Sequence, residues 1–150
     1  MPGCLFCDVL RGAAPAVGGA IYEDDLIYAY HWADEGPSYL GHLALITKRH
    51  ALDFAALTPA EAQAVGLLIA RLSSALKVCA GAEKVYAEFY GEVTPHLHVL
   101  ITARYPGAPP EYLRWNVADW PDAPRGGAAE VAALAGRLRA YLAGDGASIA

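Results

Sequence analysis

Apolar residues recur along this chain in two periods. Val65, Leu68, Ile69, Leu72 and Leu76 return every three or four residues, marking one apolar face of a long helix. Three signals open that helix together. Thr58 is suited to cap the first free N–H groups, Pro59 to the first helical position, and Glu61 to reach back to the cap. Gly81 supplies a stop. Elsewhere the pattern shortens to runs of β-branched and aromatic residues bounded by Gly, Pro and Asp. These predict strands over residues 21–24, 26–32, 42–48, 84–90 and 96–104, with loops at 13–20 and 33–41 and a turn at 91–95. Residues 105–127 carry Pro106, Pro109, Pro110, Pro121, Pro124, Gly126 and Gly127 and read as a long irregular segment. Residues 128–143 close the chain as a helix with Val131, Leu134, Leu138 and Leu142 along one side. Strands joined by short connections, one long helix and a C-terminal helix predict an α+β fold with a mostly antiparallel sheet, in a single domain over residues 1–150.

On the last strand the alternation places chemistry beside core. His96, His98, Leu100 and Thr102 share one face, and Leu97, Val99 and Ile101 share the other. By spacing alone, the H-x-H is either two ordinary surface histidines or a metal-ligand pair. In the second case it could form an open catalytic metal site. Cys4 and Cys7 form a C-x-x-C that is equally open between ordinary thiols and metal ligands. Cys79 ends the helical pattern and is expected to be a buried thiol.

Composition narrows the function classes. The 150 residues contain 16 acidic and 11 basic side chains, for a net charge of −5. That is a poor basis for nonspecific nucleic-acid binding, so no nucleic-acid partner is expected. An anionic ligand would be held by local devices instead: backbone N–H groups, histidines or single cations. No apolar run is read as approaching the ~18 residues of a membrane span. No signal peptide is read at the N-terminus, and the three cysteines are an odd count, so a cytoplasmic protein without a disulfide framework is expected.

The motifs then run together in order from residue 4 to about residue 104. They are the C-x-F-C of Cys4, Phe6 and Cys7, the segment Ile21-Tyr22-Glu23-Asp24-Asp25, and Gly41-His42 through Lys48 and His50. Leu57-Thr58-Pro59-Ala60-Glu61 follows, then Gly91 leading into His96-Leu97-His98. In this the chain resembles the histidine triad (HIT) superfamily. Of two ways to align the family's three histidines, the better one takes His96 as the first and His98 as the middle. It sets the motif five residues after Gly91 and Arg104 four residues past the third place. Leu100 then stands where the family has its third histidine.

The resemblance implies a nucleotide hydrolase or nucleotidyltransferase. His98 would attack the α-phosphorus of a nucleoside phosphate derivative and form a covalent nucleotidyl-histidine. Thr94, His42, Trp32 and Glu92 would line the phosphate and nucleotide site, helped by backbone N–H groups around 91–95. The zinc-bearing branches imply one structural zinc on Cys4, Cys7, His50 and His96, and relatives imply a homodimer through the long helix and an edge strand.

Three positions depart from the family pattern. Leu100 cannot donate a hydrogen bond or proton, a loss worth ~10²-fold or more in rate where such a donor is used. Thr102 shares its face and offers a hydroxyl. Trp32 stands where an acidic or amide residue usually holds ribose, a task left to Asp34 or Glu35. Glu92 replaces a common Gln. Leu100 and Trp32 support an alternative, a catalytically impaired, zinc-stabilised nucleotide-binding protein.

Overall fold

The computed structural model describes residues 3–33 and 35–145; Asp34 lies outside them. Five strands, β1 (Ala20–Glu23), β2 (Ile27–His31), β4 (His42–Thr47), β5 (Lys84–Glu88) and β6 (His98–Arg104), form an antiparallel sheet in the order β1-β2-β4-β6-β5. A two-residue strand β3 (Ser38–Tyr39) pairs with β7 (Arg125–Gly126), tying the loop after β2 to the end of the irregular segment.

The helix read from the apolar period is α2 (Pro59–Ala80). Its capping box is complete, with the Thr58 hydroxyl accepting from Glu61 N–H and the Glu61 carboxylate accepting from Thr58 N–H. Gly81 ends it at φ 75°, a left-handed conformation that glycine adopts without a Cβ clash. Val65, Leu68, Leu72, Ala75 and Leu76 pack with Leu134, Ala135 and Leu138 of α3 (Ala128–Asp145) onto one sheet face. Leu43, Leu45, Val99 and Ile101 supply that face, the odd-numbered residues of β4 and β6.

Two expectations about α2 change. Over an 18-residue window its mean hydropathy is 1.3, so by length and composition it could cross a membrane. The sequence reading missed this because alanine carries much of its apolar character. We assign no span, because its apolar stripe is committed to the sheet and Glu61 at its start is ion-paired with Arg49. Cys79 is half-buried rather than buried, since it sits in the last turn, where it meets α3 with Sγ 3.8 Å from the Arg137 carbonyl.

The opposite face is covered differently. A helix not expected from the sequence, α1 (Leu5–Leu10), lays Phe6, Cys7 and Val9 against Tyr30, Ala44 and Ile46. Beyond α1 this face stays accessible and carries a row of cavities. The β6 strand also begins later than expected. Pro95 has no N–H to add to a ladder, and His96 N–H turns back to Thr94 O, so pairing starts at His98.

Candidate functional site

His96 and His98 have different fates. His96 is fully buried and its ring enters a cluster with the N-terminal cysteines. The Cys4 Sγ to His96 Nδ1 distance is 3.4 Å, Cys7 Sγ to His96 Nδ1 is 3.6 Å, and Cys7 Sγ to His50 Nδ1 is 3.2 Å. All four ligand atoms lie within 4.8 Å of one another. Tetrahedral zinc with ordinary Zn–S and Zn–N bonds holds its sulfur and nitrogen ligands about 3.6 Å apart. The cluster already has the spacing of a closed S₂N₂ set.

The tautomers agree with that fit. His96 Nε2–H donates to the Thr47 carbonyl at 2.7 Å, leaving the Nδ1 lone pair toward the two sulfurs. Burial lowers the His96 pKa, which keeps the ring neutral, the form a metal takes. Burial and the neighbouring Cys4 thiol push the Cys7 thiol up. His50 lacks a comparable brace: its Nε2 is buried and has no hydrogen-bond partner among the described residues. The cluster is compatible with zinc.

His98 stays out of this cluster, although both rings lie against Phe6. Its Nδ1–H donates to the His96 carbonyl at 2.6 Å, which leaves Nε2 with its lone pair. Phe6 lies against the ring at 4.4 Å between centroids, and the Phe89 edge meets it at 5.7 Å. An H-x-H converging on one open metal site does not occur here.

The imidazole of His98 lines a cavity of about 360 Å³ together with Phe6, Trp32, His42, Glu92, Thr94 and Leu100. Trp32, His42, Glu92 and Thr94 are thus brought around one cavity, whereas Glu35, offered for the ribose, lines another and Asp34 lies outside the described residues. Leu100 and His42 also line a second cavity of about 510 Å³ with Glu88, Thr102 and Trp115. Trp32 borders a third of about 300 Å³, between α1 and β2, lined by Leu5, Val9, Tyr30 and Glu35. Three open volumes therefore meet along one sheet face. His42 is held in place by Thr102, its Nδ1 lying 2.8 Å from the hydroxyl oxygen. That occupies Thr102 with His42, where the sequence had offered its hydroxyl as a replacement donor. The irregular segment contributes Trp115, Val117 and Ala118 to the second cavity.

The sequence reading missed several residues here. Phe6 was visible only as a motif letter, although its spacing to Leu5, Val9 and Leu10 carries a weak helical signal. Glu88 stands opposite Leu100 across the β5–β6 ladder, and burial raises its carboxyl pKa. Tyr90, Phe89 and Trp115 also border the site. Their placement depends on strand register and loop packing, which no local pattern encodes.

Comparison with known proteins agrees with this architecture. The sequence matches the HIT domain over residues 16–107. A HIT-like protein of Mycoplasma genitalium is 33% identical over 107 residues, 68% of this chain and 73% of its own length. Another from Mycobacterium tuberculosis is 35% identical over 104 residues, 65% of this chain and 69% of its own. Among solved structures, a Hit-like protein involved in cell-cycle regulation from Bartonella henselae aligns with a TM-score of 0.70 at 21% identity, covering 95% of this chain and 98% of that one. A Zn-bound histidine triad family protein from Mycobacterium smegmatis gives 0.69 at 24%, covering 94% of each chain. At these identities the solved structures speak for the fold, which is α+β and HIT-like. The domain match extends over more than half of the sequence, and on that ground the chain belongs to the HIT family.

Proposed function

We propose that this protein is a nucleotide hydrolase or nucleotidyltransferase acting at the α-phosphorus of a nucleoside phosphate derivative, with His98 as nucleophile. The observation that carries this reading is the 2.6 Å hydrogen bond from His98 Nδ1–H to the His96 carbonyl. It holds the neutral tautomer whose Nε2 lone pair can bond to phosphorus, at a ring that borders open space. Attack forms an N–P bond and expels the substituent; water or a second acceptor then displaces the histidine.

The surrounding cavities divide the rest of the substrate. The apolar volume between α1 and β2 takes the base, with Trp32 at its junction with the His98 cavity. Glu35 borders the same volume and would meet a sugar hydroxyl. Thr94, His42 and the backbone of 91–94 hold the phosphate. Glu92 is exposed at this rim, free to turn its carboxylate toward water.

Cys4, Cys7, His50 and His96 would hold one zinc. When bound, it supplies a cross-link between the N-terminal helix and the approach to β6, with no open coordination position. Its nearness to a Zn-bound relative in fold and its S₂N₂ spacing both support this. The homodimer reading is supported by Leu67 and Val78, exposed on α2, and by β5 at the sheet edge.

The test is covalent trapping. Incubation with a nucleoside monophosphate ester labelled at phosphorus should give acid-labile label on the protein, absent in His98→Ala. Unlabelled protein that nevertheless binds nucleotide would favour the second reading, an impaired nucleotide-binding protein. The apolar Leu100 at the junction of two cavities is the observation behind that alternative.

A further inference from the structure

The group displaced from phosphorus needs a place to go and, if it is basic, a proton. The second cavity opens beside the His98 cavity, and the two share His42, Tyr90 and Leu100. Its other walls are Trp115, Val117 and Ala118, with Thr102 and Glu88. No lysine or arginine is among its lining residues. On the same faces of β5 and β6, Lys84 and Arg104 stand opposite each other at the far end of the ladder, and Arg104 is ion-paired with Glu83. Arg114 lies over the Trp115 ring at 5.9 Å and is exposed to solvent, so the lining itself offers a departing phosphate mainly apolar surface and a carboxyl group.

Among the described residues that line this cavity, Glu88 carries the one carboxyl group. It lies directly across the ladder from Leu100, which makes it a diagonal neighbour of His98 on the same face. Diagonal pairs of this kind sit roughly 7–8 Å apart, within reach of a long side chain. Burial raises the Glu88 carboxyl pKa from its ordinary value, a shift toward the protonated form a donor needs.

We propose that Glu88 is the catalytic acid that protonates the leaving group, and that the leaving group is an uncharged alcohol, phenol or amine with an apolar body, seated in the second cavity. This rests on the reading of His98 as nucleophile. The His98 Nε2 lone pair forms the N–P bond as the P–O or P–N bond to the leaving group breaks. The Glu88 proton passes to the departing oxygen or nitrogen, leaving a carboxylate. In the second half, water attacks phosphorus, the N–P bond breaks, and the water proton returns to Glu88. Atoms and charge balance over the cycle. Glu88 thereby fills, from the neighbouring strand, a role that Leu100 has no atoms to perform.

The test compares leaving groups of different basicity on one nucleoside monophosphate. p-Nitrophenyl and methyl esters and a dinucleoside polyphosphate are assayed with wild type, Glu88→Gln and Glu88→Ala, with melting temperature as the folding control. First, label on His98 with the p-nitrophenyl ester must form in wild type. Its absence refutes the nucleophile reading itself. Given the label, Glu88→Gln should lose at least ~10-fold more rate on the methyl ester than on the p-nitrophenyl ester. Wild type should prefer the p-nitrophenyl ester over the polyphosphate by ~10²-fold or more in kcat/KM. Equal losses on both esters, or a preference for the polyphosphate, overturn the proposal while leaving the role of His98 intact. If the Gln variant melts early, Glu88→Ala is read for the same ratio.

Discussion

The carbonyl oxygen of His96 accepts the Nδ1 proton of His98 at 2.6 Å, while the His96 ring closes a cluster with Cys4, Cys7 and His50. One residue thus takes part both in the cysteine–histidine cluster and in the orientation of its neighbour. Its ring is held by Thr47 and two sulfurs, so its backbone has little freedom, and the acceptor for His98 is fixed with it.

From this coupling we expect that loosening the cluster disturbs His98. Cys7→Ser should lower bound zinc well below one per chain, measured by metal analysis of the purified protein. It should also reduce the rate of label formation on His98 by about 10–100-fold, with a lower melting temperature. A variant that loses zinc and keeps both its melting point and its labelling rate would separate the two sites.

Trp32 borders both the base cavity and the His98 cavity and touches the Phe6 ring at 6.2 Å between centroids. If it stacks on the base, Trp32→Ala removes about 1–3 kcal/mol of binding. Steady-state kinetics should then show KM raised roughly tenfold or more, with kcat changed much less. A fall in kcat at constant KM would place Trp32 in the chemistry instead.

Gly41 shows what the Gly-His dipeptide is for. Its φ is 84°, and a Cβ there would lie 2.9 Å from the Ala103 Cβ and 3.1 Å from the Tyr105 hydroxyl. Its N–H also donates to His31 Nε2, and its carbonyl accepts from Ala103 N–H. Left-handed strain and overpacking together predict that Gly41→Ala costs about 3 kcal/mol. Thermal melting should fall by roughly 10 °C.

Glu61 gives a pH signature of folding. The Arg49 guanidinium beside it, with two hydrogen bonds from Thr58, holds its carboxyl down to about 2 from an ordinary 4.5. A depressed folded value means its stabilisation is full above pH 4.5 and is lost as pH falls toward 2. Melting temperatures across that window should drop more steeply for wild type than for Glu61→Gln. Parallel curves would mean the pair contributes nothing to acid stability.

The candidate site was legible in the sequence to the extent that its residues sit in local motifs. Cys4 with Cys7, Gly41 with His42, and Gly91 leading to His96 and His98 each announce themselves by spacing. Phe6, Glu88 and Trp115 do not, and two of them press on or lie diagonal to the ring at the centre. The strand expected from residue 96 was two residues too long, because a tertiary cluster, and not the ladder, takes the His96 side chain.

By itself the sequence determined the periods: a capped amphipathic helix, strands with alternating faces, and the order of the motifs. Those follow from interactions between residues a few places apart. Only the tertiary structure decided that Cys4 would meet His96 across 92 positions, that His98 would border a cavity outside the cysteine–histidine cluster, and that Glu88 would stand across from Leu100. Alternation gives each strand its two faces but leaves open which residue of the next strand lies opposite. That register is set when the whole sheet packs against its helices.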